Sequence, residues 1–341
     1  MKQVPLIIST DPLDDGADGA DGWPQGDPGP ASEIRSFTIP VAHHKDRLDR
    51  ALAELIPEFS RNYLRQLIEA GAVQLKGRVL TKPSASVQAG EAGQIELRPT
   101  PQSQAFKPEP MALRVVHEDA HLRVIDKPVG LVVHPAPGHW SGTLLNGLLA
   151  LDPQAAHLPR AGIVHRLDRD TSGLMVVARS RQTMDALVAL IAAREVKRQY
   201  LALAHRSWQG AGARHVDAPI GRDPRNRLRM AVVDLARHAG KPARTLIERL
   251  DSGDEGCVVR CTLETGRTHQ IRVHMASIGH PLVGDALYGG AAAAELSRQA
   301  LHAFRLAFAH PITGEPLAFV SPPPADLVAG LRAWGLDYNR A

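Results

Sequence analysis

Sulfur chemistry is nearly absent from this chain, whose 341 residues include only two cysteines, Cys257 and Cys261. Both sit in CVVRCTLE, which reads as a strand, and four strand residues span about 13 Å. Disulfide Cα atoms lie within roughly 7 Å of one another, so this pair is expected to stay reduced and to pack as small buried groups on one strand face. Aromatic residues make up only 4% of the chain, which argues against a strip of base-stacking platforms of the kind single-strand binders use. There is no secretory apolar segment at the N-terminus and no apolar run of about 18 residues. A cytoplasmic, reduced protein without membrane attachment is the expectation. No G-x-x-x-x-G-K-[ST] loop and no strand–GxGxxG–helix pattern occurs, so a nucleotide cofactor is not indicated. Histidine is plentiful at 16 residues, but His269 and His274 have no cysteine or carboxylate cluster at ligand spacing, and no metal site is expected.

Net charge is also small overall, at a formal +4, but its distribution is uneven. Residues 1–40 carry two basic side chains against seven acidic ones, which leaves residues 41–341 at +9. That balance favours a polyanionic partner for the folded part. The stretch 9–32 is rich in Gly, Pro and Asp without periodicity and buries too little apolar surface to offset its ordering entropy. Residues 1–40 are therefore read as a disordered acidic extension.

From residue 41 to 98 the pattern tightens. Leu48, Leu52 and Leu55 mark an amphipathic helix that Pro57 ends. Ser60 caps a second helix that Gly71 stops, and Arg61 and Arg65, four apart, project from one side of it. A hairpin follows, Val73–Leu75 and Arg78–Leu80, turned through Lys76-Gly77, and a strand from Gln94 to Leu97 closes the unit. Residues 99–111 (PTPQSQAFKPEPM) form a proline-punctuated linker. Residues 112–341 hold many strands with helices inserted at intervals and no regular βαβ alternation. That order predicts an α+β domain on a mixed, largely antiparallel sheet with flanking helices. Short strands are expected at Leu113–Val116, His121–Ile125 and Leu131–Val133, and three or four more after a helix spanning His269–Ile278.

Two stretches concentrate chemistry. In AGIVHRLDRDTSGLMVVARS (residues 161–180), a polar loop closed by Gly173 runs straight into an apolar strand, a common way to hold a reactive group at a cleft. A solvated turn fits the composition equally well, and Asp168 and Asp170 are the candidate acids or nucleophiles. In TGRTHQIRVHMASIGHPLVGDALYGG (residues 265–290), His269, Arg272 and Ala276 share a helical face opposite the apolar stripe. An arginine fixed there pairs with a buried aspartate and keeps it ionised, contacts phosphate, or faces water; composition leaves the three open. Arg214, Arg222, Arg225, Arg227 and Arg229 cluster between strands, where they suit backbone phosphates.

Taken together, HRLDRDTSGL, KPVGLVVHP, KRQY and TGRTHQIRVHM resemble the RluA-type pseudouridine synthases over about residues 113–320, in the family's order and at its spacing. The unit ahead of them, through RLDRALAEL, SRNYLRQLIEAGAV and KGRVLTKPSASVQAGE, resembles an S4 RNA-binding module. The resemblance implies a pseudouridine synthase fold preceded by a small S4 α/β module, and isomerisation of uridine to its C-glycoside without a cofactor. By the same resemblance Asp168 matches the family's nucleophilic aspartate, and Arg166 an arginine that fills the void left by the extruded base. Tyr200 matches a tyrosine lying against the target base, and Arg272 the arginine that pairs with the aspartate. His165, Asp170 and Arg267 receive no role. Arg61, Arg65, Lys76, Arg78, Arg222 and Arg225 are the expected RNA contacts. VVHPAPGHWSGTLLN, PRAGIVHRLDRDTSGLMVVA and PLVGDALYGG point toward the subtype acting on large-subunit (23S) rRNA, with the helix 69 loop as target and a monomer working on the rRNA or the pre-ribosomal large subunit. The alternatives are a related subtype acting on other 23S uridines, a non-catalytic S4-containing RNA-binding protein, and a carboxylate hydrolase for which the S4-like module would be superfluous.

Overall fold

The computed structural model describes residues 33–98, 105–136 and 138–339. Most of the predicted acidic extension, residues 1–32, lies outside them. The chain divides into two compact units, with the boundary near residue 107.

The smaller unit is a four-stranded antiparallel sheet in the order β1-β4-β2-β3, carrying two helices. Its strands are β1 (Glu33–Thr38), β2 (Val73–Leu75), β3 (Arg78–Leu80) and β4 (Ala92–Leu97), and its helices are α1 (Leu48–Leu55) and α2 (Arg61–Glu69). Leu48 and Leu52 of α1 meet Leu64, Leu67 and Ile68 of α2 over Val73 and Ile95, all fully buried. Ser60 caps α2 as expected, its hydroxyl accepting from the Tyr63 amide at 3.2 Å. The hairpin turns through Lys76 and Gly77 at φ 50° and 73°, the paired positive φ that two-residue hairpins favour. One boundary moves. The extension was expected to reach residue 40, yet Glu33–Thr38 pairs along its whole length with β4. This edge strand turns only Arg35 and Phe37 partly inward, so it gives little periodic signal next to an acidic, glycine-rich stretch.

The larger unit is built on a nine-stranded sheet in the order β5-β6-β7-β14-β8-β13-β12-β9, with β15 also pairing β14. In chain order the strands are β5 (Arg114–Glu118), β6 (Leu122–Lys127), β7 (Ser172–Ala178), β8 (Lys197–His205), β9 (Ala213–Asp217), β12 (Arg244–Ser252), β13 (Gly256–Leu263), β14 (Leu301–Ala309) and β15 (Pro316–Val320). A separate two-stranded ribbon joins β10 (Ile220–Arg222) to β11 (Met230–Val232). Every pairing in the large sheet is antiparallel except β7 with β14, so the sheet is mixed and largely antiparallel, as expected. Helices α3 (Leu144–Leu151), α4 (Arg181–Ala192), α5 (Gln270–Ser277) and α6 (Ala325–Ala333) cover it.

Both sheet faces are covered, which explains why β7 reads as an unbroken apolar run. Its Met175 and Val177 join a core with Tyr200, Cys261, Ile271 and Met275, while Leu174, Val176 and Ala178 pack against Leu187 of α4 on the other face. Cys257 and Cys261 are free and fully buried on β13, as their spacing required. Gly173 enters β7 at φ 113° with the Ala303 backbone against it, and only a residue without Cβ allows that approach.

Two expectations fail locally. Leu131–Val133 is not a strand. Its carbonyls are taken by the Lys127 ammonium (Leu131) and by the Leu144 and Leu145 amides that open α3 (Val132 and Val133). A sheet ladder and these partners compete for the same groups. After α5 only two strands follow among the described residues, because residues 280–300 serve as a folded loop around the short helix Ala286–Tyr288.

Candidate active site

The loop ahead of β7 is held from below by a buried lysine. Lys127, wholly inaccessible, donates to the carbonyls of Pro128, Leu131 and Arg169 at 2.9, 2.9 and 2.8 Å. The Gly130 amide also donates to the Arg169 carbonyl, at 3.0 Å. His165 is neutral, because burial pushes its pKa down to about 3, and its Nε2 accepts from the Val176 amide at 3.1 Å. These ties fix the backbone on both sides of Asp168.

Opposite the loop stands α5, which starts at His269 in a left-handed conformation, φ 54°. Arg272, one turn on, donates through Nη1 to Asp168 Oδ2 at 3.1 Å. Its other donors form a fork on Asp285, Nε to Oδ2 at 2.8 Å and Nη2 to Oδ1 at 2.9 Å. The Tyr288 ring lies under the guanidinium, 5.0 Å from centroid to Cζ. His269 Nε2 stands 3.9 Å from Asp168 Oδ1, and its Nδ1 is 2.8 Å from the Tyr288 hydroxyl. That hydroxyl accepts from the Met230 amide at 3.0 Å and still has its own proton to give.

The electrostatics follow from this geometry. Burial pushes the Asp168 carboxyl up, but the charges of His269 and Arg272, the Arg272 hydrogen bond and the charge of Arg166 outweigh it and hold its pKa below the ordinary carboxylate value. A carboxylate that stays ionised although half-sequestered is a competent nucleophile or general base. Tyr200, on β8, is buried in the core beside Met175 and Cys261, and burial pushes its phenol up to about 12, so it is a neutral hydroxyl. Above Asp168 opens a shallow cleft lined by Arg166, Arg169, Arg222, Leu228, Met230 and His269. Three arginines around one carboxylate suit a phosphodiester-bearing ligand.

The structure brings Asp168, Arg166, Arg272 and Arg222 together. Of the three open readings of Arg272, the ion pair with a buried aspartate is the one found. Asp170 points instead to the Arg169 side chain at 3.2 Å, and Arg267 donates to the Pro242 carbonyl at 3.0 Å, away from Asp168. Arg225 is exposed on the turn between β10 and β11. In the smaller unit Arg61 forms a fork on the buried carboxylate of Asp49, at 3.1 and 2.8 Å. Arg65 pairs with Glu69 at 3.5 Å and Lys76 with Glu91 at 2.9 Å, while Arg78 is exposed on β3. Sequence reasoning missed Lys127, Asp285 and Tyr288 as parts of the site. All three lie in stretches that drew attention, but Arg169 is 42 residues from Lys127, Arg272 13 from Asp285 and Met230 58 from Tyr288 in the chain, and no local periodicity reports that. Among the described residues no group of histidines, cysteines and carboxylates is placed to hold a metal ion, and no helix is long and apolar enough to cross a membrane.

Comparison with known proteins agrees with this architecture. The RNA pseudouridylate synthase family model matches residues 121–277 and the S4 domain model residues 46–92. The ribosomal large subunit pseudouridine synthase D of Neisseria meningitidis serogroup A is 46% identical over 302 residues, covering 85% of this chain and 79% of the relative. The protein of the same name from Nitrosomonas europaea is 47% identical over 305 residues, with 87% of each chain covered. Among solved structures, human RNA pseudouridylate synthase domain containing 4 superposes with a TM-score of 0.52 at 26% identity, covering 66% of this chain and 94% of that one. With an S4 unit ahead of a synthase domain and near-half identity along most of its length to such enzymes, the chain belongs to the RNA pseudouridylate synthase family.

Proposed function

We propose that this enzyme isomerises specific uridines of large-subunit (23S) rRNA to pseudouridine, in the loop of helix 69, with Asp168 as the nucleophile on a flipped-out base. The observation that carries the reading is the ion pair between Asp168 and Arg272 at the floor of an arginine-lined cleft. The relatives, named for the ribosomal large subunit, support the choice of RNA.

A uridine inside a folded RNA hides its glycosidic bond and C5, so it must leave the stack at a cost of a few kcal/mol. Arg166, beside Asp168 in the cleft, takes the space the base vacates, and Tyr200 lies against the extruded base. The carboxylate then drives cleavage of the N1–C1′ bond, the base turns, and C5 bonds to C1′ with loss of its proton. Arg272 keeps Asp168 ionised before the step and orients it. Arg61, Arg65, Lys76 and Arg78 of the smaller unit and Arg222 and Arg225 of the larger one contact the RNA backbone, and the enzyme works as a cytoplasmic monomer on the rRNA or the pre-ribosomal large subunit.

Asp168→Asn tests the assignment. It should abolish pseudouridine formation in large-subunit rRNA while RNA binding persists. Carbodiimide mapping of rRNA from cells that carry only this variant should lose the stops found with wild type. A full pattern there would remove Asp168 from the chemistry.

A further inference from the structure

An exposed leucine stands in the cleft beside Met230 and three arginines. Leu228, 61% exposed, sits on the turn between β10 and β11 and lines the cleft with Asp168 and Arg166. Single exposed leucines are ordinary on protein surfaces. Two features set this one apart: its place in the cleft and the stiffness of its mount.

The turn is braced by its own polar residues. Asp223 accepts from the Arg225 amide at 2.8 Å and takes the Arg229 side chain on its other oxygen at 2.6 Å. Asn226 Oδ1 accepts from the Leu228 amide itself at 3.0 Å, and Arg222 donates to the Arg227 carbonyl at 3.1 Å. The braced turn is also tied to the floor of the site. The Met230 amide donates to the Tyr288 hydroxyl at 3.0 Å and Arg229 to the Leu287 carbonyl at 3.4 Å. Leu228 is therefore held at a defined position relative to Asp168 although its side chain packs on little.

A leucine offers phosphate nothing. What it can recognise in RNA is the apolar face of a base, and rigid aliphatic side chains are used elsewhere to part base steps. The surrounding arginines supply the electrostatic attraction that brings the backbone in. We propose that Leu228 is a wedge that inserts beside the target uridine, against the base next to it, and keeps the uridine out of the stack. The inference rests on reading the cleft around Asp168 as the active site.

The test uses the full chain and the rRNA segment that wild type is found to modify, in two forms: intact, and with the nucleotides flanking the target made abasic. Single-turnover rates at saturating enzyme are compared for wild type, Leu228→Ala, Leu228→Met and Asp168→Asn. Leu228→Ala should melt with wild type and slow the intact RNA by about tenfold, the scale of one partly lost unstacking contact. Its loss on the abasic form should be several-fold smaller, and Leu228→Met should restore most of the rate. Equal losses on both RNAs, or no loss on the intact one, would overturn the wedge while an inactive Asp168→Asn leaves the active-site reading standing. Activity in Asp168→Asn would overturn both.

Discussion

Arg272 divides its fork of donors between two carboxylates, with Asp285 taking two and Asp168 one. The second carboxylate fixes the plane of the guanidinium, so that the remaining N–H points at the first. Asp285→Ala leaves a buried arginine short of its main partner, and losing one side of such a pair costs about 3–5 kcal/mol; chemical denaturation should show a loss on that scale together with a fall in activity. The pH dependence follows from the direction of the Asp168 shift. Its folded-state pKa lies below the unfolded value, so the stability it contributes is present above the ordinary carboxylate pKa of about 4 and is lost as pH falls through the folded value. Turnover that needs this carboxylate should therefore stay level down to about pH 4. In Arg272→Gln, burial acts with less opposition, and the acid limb of the rate profile should move to higher pH. An unmoved limb would mean that Arg272 does not set the ionisation of Asp168.

At the scale of elements, the turn Lys127–Gly130 acts as a clamp on the loop that carries Asp168. Burial pushes the Lys127 ammonium down to about 7 from 10.5. Between those values the unfolded chain binds more protons than the folded one, so stability should rise with pH across that window. Lys127→Met removes this slope along with the side chain's hydrogen bonds to the loop, and denaturation midpoints from pH 7 to 10 should show the flattened dependence. The smaller unit offers a contrast between two arginines expected to touch RNA. Arg61 also neutralises the buried Asp49, so Arg61→Ala should lower the melting temperature as well as RNA affinity. Arg78→Ala, on an exposed strand, should lower affinity alone and reduce the salt dependence of binding by about one counterion.

The same contrast shows how far the sequence was legible. The cap of Ser60, the turn at Lys76-Gly77 and the buried run of β7 carry their structure in local chemistry, and each stands where that chemistry puts it. The helix bearing Arg272 was legible too, although His269 stands just before it in a left-handed conformation that helical spacing does not anticipate. Asp285, Tyr288 and Lys127 were not. Their importance lies in what they touch across the fold, and a lone aspartate in a glycine-rich turn looks the same whether it braces an arginine or faces water.

For the molecule as a whole, the basic balance of residues 41–341 and the acidic balance of residues 1–40 meet at β1. That strand belongs to the folded sheet by its pairing and to the acidic stretch by its place in the chain. Anyone shortening the protein to remove the acidic residues meets a sharp boundary at Glu33. A chain beginning at Glu33 keeps β4 paired and ends its sheet on a strand that carries the charges of Glu33 and Arg35, side chains of the kind that blunt an edge. One beginning at residue 41 uncovers the outer edge of β4, where the amides and carbonyls of alternate residues lose their partners and accept a strand from any copy presenting one. The shorter protein should self-associate on gel filtration and the longer one should not, which makes a modest edge strand the guardian of solubility for the whole chain.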